Sequence, residues 1–336
     1  MEQLAAWTPA DLLQLSGGYW NTCALHAGVK LDVFTPLQDR AANSEELADL
    51  LRADRRGLAM LLNALAAMGL LKKDGERYAT TLFAAEFLSR TSPKYLGHII
   101  MHHHHLMDGW SRLDEAVISG KAIQERVVHA DDAQVRENFL MGMFNLAMQL
   151  APKIVPEIDL SSRQRLLDLG GGPGTYAIQF CLHNPELTAV VYDLPSTRPF
   201  AEKTIQRFNL ADRVIFNDGD FITKGIEGTF DVAWLSHVLH GESPEACAVI
   251  LKKAVAALEP GGIILIQEFI LEDSKAGPVF PALFSLNMLL FTSGGQAYSQ
   301  SELYSMLTDA GARDVQRLPL SLPNGAGVMM GFVTEH

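Results

Sequence analysis

Residues 163–174 read RQRLLDLGGGPG, and this stretch decides the fold. Leu166, Leu167 and Leu169 make the short apolar run that a buried parallel strand requires. Asp168 interrupts the run near its end. Gly170, Gly171, Gly172 and Gly174 follow at once, with Pro173 among them, and a helical pattern begins at Thr175. Strand, glycine turn and helix open a nucleotide-binding βαβ unit, whose turn lets a ligand approach the backbone. Two features separate this turn from a dinucleotide site. The third glycine of G-x-G-x-x-G would fall on residue 175, which is Thr175. A carboxylate also stands two residues before the first glycine. It is a poor neighbour for a pyrophosphate and a good one for a ligand carrying ammonium and sulfonium groups.

Downstream, strand and helix alternate. Strands are expected at 188–192, 213–217, 230–237, 263–269, 313–318 and 327–334, with helices at 244–258, 280–291 and 300–310. The pattern predicts an α/β, doubly wound sheet with ligand sites at the carboxyl ends of its strands. Acids stand at those ends. Asp193 lies 23 residues past Gly170, where a carboxylate accepts from ribose hydroxyls. Asp220 with Phe221 is placed to meet an adenine, the acid at its amino group and the ring at its face.

Upstream, residues 10–15 and 19–33 read as helices split by Gly17–Gly18, with an apolar content that calls for a covering partner, another subunit. A helix from Ser44 to Leu51, a second to about Met68 and two short strands around Asp74–Gly75 make a winged-helix pattern. The second helix, LAMLLNALAAMGLL, is apolar on most of its surface, which suits burial rather than a DNA groove. Residues 82–92, 94–118 and 132–155 are further helices, and the domain boundary is expected at 158/159. His98, His102 and His105 share a helical face. They can hold a metal, line a pocket with Trp110, or be solvated.

Composition narrows the function. The chain has 336 residues, 48% hydrophobic and 20% charged, enough for about two globular domains. A net charge of −12 disfavours nucleic acid as a partner. No uncharged apolar run reaches the ~18 residues of a membrane span. The first residues lack the basic region of a signal peptide, and three scattered cysteines suit reduced thiols in the cytoplasm.

The acid-plus-glycine turn resembles the first motif of class I S-adenosylmethionine (SAM) methyltransferases. Residues 230–247, FDVAWLSHVLHGESPEAC, followed by a helix, Pro260–Gly261–Gly262 and IILIQEF, sharpen this. The chain resembles small-molecule O-methyltransferases of the caffeate, bacterial polyketide and acetylserotonin type. The resemblance implies a winged-helix dimerisation and substrate-lining domain over 1–158 and a Rossmann-like SAM-binding catalytic domain over 159–336. It implies a homodimer that methylates a hydroxyl of a small aromatic or conjugated molecule. His240 would be the general base and Glu268 its orienting partner. SAM would be held by Asp168, Gly170, Gly172, Asp193, Leu194, Gly219, Asp220, Phe221 and Ser236. The acceptor pocket would include His102, His105, Trp110, Met141, Asn145, His237 and Asn287, and no metal is expected.

The chain departs from the family pattern in two places. Gly241–Glu242 replaces the usual D-W after the histidine. Ala297, in GGQAYS, stands where a second flanking glutamate is usual, so His237 is a second candidate base. Transfer to C, N or S is the alternative within the class. The alternative outside it is a winged-helix regulator that senses SAM.

Overall fold

The computed structural model describes residues 7–124 and 132–334. They form two compact units, Met1–His105 and Leu106–His336, with the division inside helix Gly97–Trp110. The boundary expected at 158/159 lies within the second unit. Helix Ala133–Ile154 explains the difference, because Ala151 and Ile154 are buried in one core with Leu166 and Trp234 of the sheet.

In the first unit, Thr8 caps helix Pro9–Gly17 through a reciprocal capping box with Asp11. No residue of that helix is buried; Leu12, Leu13 and Leu15 are exposed, as are Tyr19 and Trp20 at the start of helix Tyr19–Lys30. The far end of the second helix is different. Val29, followed by Val33 and Phe34, packs with Leu47, Leu62, Leu65 and Tyr78. Asn43 and Asp54 cap helices Ser44–Leu51 and Arg55–Ala67. Strands β1 (Ala42–Asn43), β2 (Leu71–Asp74) and β3 (Arg77–Thr80) pair in the order β1-β3-β2, which gives the expected helix, helix and hairpin. Leu58, Leu62 and Leu65 turn inward from the second helix. Arg55 pairs with Glu45 and Asp49, and Arg77 with Glu46. These cations already face acids, which does not suit a phosphate-binding surface.

The second unit holds β4 (Arg165–Leu169), β5 (Thr188–Asp193), β6 (Val214–Asp218), β7 (Phe230–Ser236), β8 (Leu258–Phe269), β9 (Ala312–Arg317) and β10 (Ala326–Val333). Their order is β6-β5-β4-β7-β8-β10-β9. β4 to β8 pair in parallel, and β10 is antiparallel to both neighbours. The order reverses between β4 and β7, the switch point at which such sheets open a cleft beyond the carboxyl ends. Alternate residues feed two cores. Leu166, Val191, Trp234 and Leu265 pack on one face; Leu167, Val190, Ala233 and Ile264 pack on the other.

β8 is longer than the sequence suggests, because pairing runs through Pro260–Gly261–Gly262. Phe230 faces Leu258 and Val232 faces Ile263, so the register jumps there, with Gly261 at φ 78°. Beyond the bulge the register is regular. Ser236 stands opposite Gln267, which puts residues 237 and 268 side by side at the sheet's carboxyl edge.

Candidate active site

The glycine turn is built around Asp168. Its carboxylate is buried, and Oδ2 accepts from the Ala177 amide at 3.1 Å, tying the strand end to helix Thr175–His183. Gly170 and Gly172 have φ of 69° and 55°, where a side chain is strained. A Cβ on Gly171 would stand 2.5 Å from the Asp168 carboxyl carbon. The chain folds back on its own acid here and admits no side chain. Oδ1 of Asp168 has no hydrogen-bond partner among the described residues. Burial first, and nearby Asp193 in addition, push this carboxyl up to about 7 against the one amide that favours ionisation. A buried acceptor left open at a backbone turn fits a ligand's cationic or N–H group.

Asp193 ends β5 and reaches back to the same turn. Its Oδ2 accepts from the Gly172 amide at 2.7 Å, and Oδ1 accepts from the Leu194 amide at 2.6 Å. A carboxylate has about four acceptor positions, so these bonds leave capacity for a ligand's hydroxyls. Gly219 is buried, and its amide donates to the Asp193 carbonyl at 2.9 Å. Asp220 accepts from the Ile222 amide at 2.9 Å and the Thr223 hydroxyl at 2.9 Å. Burial raises this carboxyl, but those bonds and Lys253 outweigh it and hold it low. The Phe221 ring edge comes within 3.6 Å of where a Gly170 Cβ would stand. Glycine turn, Asp193, Leu194, Gly219, Asp220 and Phe221 therefore line one edge of the sheet.

A second cluster lies at the ends of β7 and β8. Glu268 is 1% exposed. Its Oε2 lies 2.7 Å from Nδ1 of His240, and its Oε1 accepts from the His240 amide at 3.2 Å. Nδ1 of His237 stands 3.5 Å from the same Oε2, an ion-pair distance too long for a good hydrogen bond. Burial would raise the Glu268 carboxyl. The two imidazoles, His240 foremost, reverse that and hold it well below the usual carboxylate range. An ionised carboxylate only accepts, so Nδ1 of His240 donates. In the neutral ring Nε2 then carries the lone pair. The three ligand-type atoms of His237, His240 and Glu268 lie within 4.8 Å of one another, a spacing a metal could also use. The short His240–Glu268 hydrogen bond accounts for that contact without one.

Aromatic rings wall this cluster. Phe269 lies 4.3 Å from His237 between ring centroids, and Phe284 meets His240 edge-on at 4.7 Å. Phe280 stacks on Phe284. The sequence singles out none of these rings: Phe269 reads as the last residue of a buried strand, and VFPALFSLNMLLF, which carries Phe280 and Phe284, reads equally as a core helix. The i, i+4 spacing of Phe280 and Phe284 was the available signal. Tyr298 was also missed. Its hydroxyl donates to the Glu242 carbonyl at 2.6 Å, and Gly295 packs against the His240 carbonyl, so segment 294–298 braces the turn after His240. Ala297 is buried there.

The remaining candidates are placed as follows. Trp110 Nε1 donates to Asn287 Oδ1 at 2.9 Å. Ser236 donates to Gln267 at 3.3 Å. Met141 and Asn145 are half-buried on helix Ala133–Ile154, and Asn145 Oδ1 has no partner among the described residues. His102 and His105 belong to the first unit. His102 is buried, and burial with the neighbouring His103 and His105 lowers its imidazole to about 3. Nearby, His104 meets His26 at 5.5 Å between centroids and accepts from Lys30 at 3.1 Å. Among the described residues the metal-type grouping is the one at Glu268, not the histidine run.

Two family descriptions match the chain: an O-methyltransferase domain over residues 110–313 and an O-methyltransferase dimerisation domain over residues 13–90. The 3-hydroxy-5-methyl-1-naphthoate 3-O-methyltransferase of Streptomyces sahachiroi is 32% identical, over 96% of this chain and 95% of that protein. The tetracenomycin polyketide synthesis 8-O-methyl transferase TcmO of Streptomyces glaucescens is 30% identical over 94% and 95%. The solved structure of PigF with SAH superposes with a TM-score of 0.88 at 26% identity, covering 97% of this chain and 100% of that one.

The Asp168 carboxyl generates a stability prediction. An acid whose folded pKa is raised loses stability as pH climbs from its unfolded value, near 4, to its folded value of about 7. The loss approaches about 4 kcal/mol and is constant above that window. Asp168→Asn keeps the acceptor for Ala177 and cannot ionise. Thermal melts of ligand-free protein should show wild type and Asp168→Asn alike near pH 4, with the variant increasingly the more stable as pH rises to 8. Parallel curves across that range would contradict the burial argument.

Proposed function

The chain belongs to the O-methyltransferase family, and from that premise we propose that it transfers the methyl group of SAM to a hydroxyl of a small aromatic or conjugated molecule, with His240 as general base. The supporting observation is the His240–Glu268 pair, whose geometry leaves a basic nitrogen beside an aromatic-walled cleft. SAM supplies an electrophilic methyl carried on a sulfonium. The rest falls to this chain. Asp168 Oδ1 and the open turn at Gly170–Gly172 take the amino-acid end, Asp193 with Leu194 the ribose, and Asp220 with Phe221 and Gly219 the adenine. Ser236 sits between this edge and the base.

Nε2 of His240 takes the acceptor's proton as the O–C bond forms and the S–C bond breaks, the bonding pair leaving with sulfur. Glu268 holds the ring in the tautomer that can do this and stabilises the imidazolium that results. Phe269, Phe280 and Phe284 suit a flat acceptor, and Trp110, Met141, Asn145 and Asn287 are assigned to its far wall. Orientation of oxygen, methyl and sulfur in line supplies the rest of the rate. Ala297 motivates a second reading, transfer to C, N or S, since the base lacks its second carboxylate. Residues 159–336 carry this chemistry, and residues 1–158 carry dimerisation and substrate lining. The chain is assigned to the cytoplasm as a homodimer. Among the described residues no helix is long and apolar enough to cross a membrane.

His240→Ala should lower turnover by ~10²–10⁴-fold. Its affinity for S-adenosylhomocysteine by calorimetry should stay within a few-fold of wild type. Glu268→Gln should do less harm, since an amide still orients the ring. Near-wild-type turnover in His240→Ala would mean either that His237 is the base or that the acceptor needs none, and the latter would favour the second reading. For assembly, Leu13→Asp with Trp20→Asp puts charge on side chains that are exposed in the protomer. Light scattering should then find monomer where wild type is a dimer; an unchanged dimer would place the interface elsewhere.

A further inference from the structure

The structure assigns His237 a role of its own: we propose that it is a second acceptor-binding imidazole, which with His240 selects aromatic acceptors carrying two neighbouring hydroxyls. The inference rests on the O-methylation reading and adds to it the residue that chooses the acceptor.

Four observations carry it. First, His237 has φ 56°, a left-handed backbone that is uncommon for a residue with a side chain and characteristic of functional sites. Its amide still donates to the Gln267 carbonyl at 2.8 Å, so the residue is fixed at the end of β7 rather than loose. Second, its side chain is 25% exposed, more than the 14% of His240, so part of the ring is open to solvent. Third, Nδ1 of both rings faces one oxygen, Oε2 of Glu268, at 2.7 Å for His240 and 3.5 Å for His237. Fourth, Phe269 lies against the His237 ring and also touches Phe280 and Phe284, so the imidazole stands in the wall of the aromatic cleft.

The chemistry follows from the shared carboxylate. Its hydrogen bond fixes the proton on Nδ1 of His240, and its charge favours the same tautomer in His237, whose buried Nδ1 has that carboxylate oxygen as its nearest ion-pair partner but no hydrogen bond to it. In a neutral ring with its proton on Nδ1, Nε2 carries the lone pair and is an acceptor. The ring centroids are 5.8 Å apart. Two acceptor nitrogens so placed suit two hydroxyl donors on one planar molecule. One hydroxyl gives its proton to His240 and is methylated. The other donates to His237 and fixes which oxygen reacts. An acceptor whose second oxygen is already methylated cannot donate, and leaves the His237 nitrogen unpaired. Sites that hydrogen-bond a substrate group discriminate strongly against analogues lacking it.

The test uses a matched acceptor set: a dihydroxy aromatic, its mono-methoxy counterpart and the corresponding monohydroxy compound, with full-length wild type, His237→Phe and His237→Gln. Wild type should prefer the dihydroxy acceptor by about 10-fold or more in kcat/KM. His237→Phe should abolish the preference, mainly through KM for the dihydroxy acceptor. His237→Gln, whose amide oxygen still accepts, should restore part of it. A structural role alone would lower kcat for all three acceptors together and would not be rescued by Gln. Equal preference in wild type and His237→Phe, or no preference in wild type, overturns this inference and leaves the O-methylation reading intact. Binding of S-adenosylhomocysteine without methylation of any acceptor overturns both.

Discussion

One contact organises the carboxyl edge of β7 and β8: the buried carboxylate of Glu268 against Nδ1 of His240, at 2.7 Å. A carboxylate this deep is unfavourable unless it is paired and hydrogen-bonded. Here it receives the His240 amide and ring and lies in the field of a second imidazole. The pairing holds the acid ionised, and the ionised acid fixes the ring. None of this needs the two residues to be near in sequence. The register of β7 on β8 brings them together, and the bulge at Pro260–Gly262 sets that register.

The glycine-turn edge works the opposite way. Asp168 is buried with one oxygen unpartnered, and burial drives its carboxyl toward the neutral form. Without a ligand the position would be more stable with an amide, which keeps the acceptor for Ala177 and cannot ionise. The open acceptor makes sense as a site prepared for a cation, and its local instability is what a ligand relieves. The same residue also ties β4 to the following helix, so the strained position is anchored rather than free. Local rules tend to be broken at functional sites. Asp168, a buried acid with one oxygen unpartnered, and His237, a left-handed histidine, are two such breaches at this sheet edge.

Much of this was legible in the sequence. The apolar run ending in Asp168, the glycines and the acids that follow later strands mark the sheet and the ligand edge, because a strand's end and a glycine's freedom are local properties. His240 and Glu268 were legible as neighbours because both follow parallel strands. Other features depend on partners the sequence does not name. Helix Ala133–Ile154 reads as apolar without saying which core it joins, so the division at His105–Leu106 was not visible. Phe280 and Phe284 sit in a helix apolar on every side, where pocket wall and core filler look alike. In the sequence, Pro260–Gly262 reads as the break between helix 244–258 and strand 263–269, because proline and glycine punctuate elements more often than they form bulges. The backbone of His237 has no signature in the sequence, since most histidines, although they enter positive φ more readily than most side chains, do not adopt it.

The central claim is that Glu268 fixes His240 with its proton on Nδ1 and its lone pair on Nε2. Ring-nitrogen NMR of protein labelled with ¹⁵N-histidine, with His240 assigned by comparison with His240→Gln, reads that tautomer directly. The account requires a protonated Nδ1 and an unprotonated Nε2 on the neutral ring, with Glu268→Gln shifting the signals of His240. A neutral ring protonated on Nε2 would contradict it, because that nitrogen could not then take the acceptor's proton.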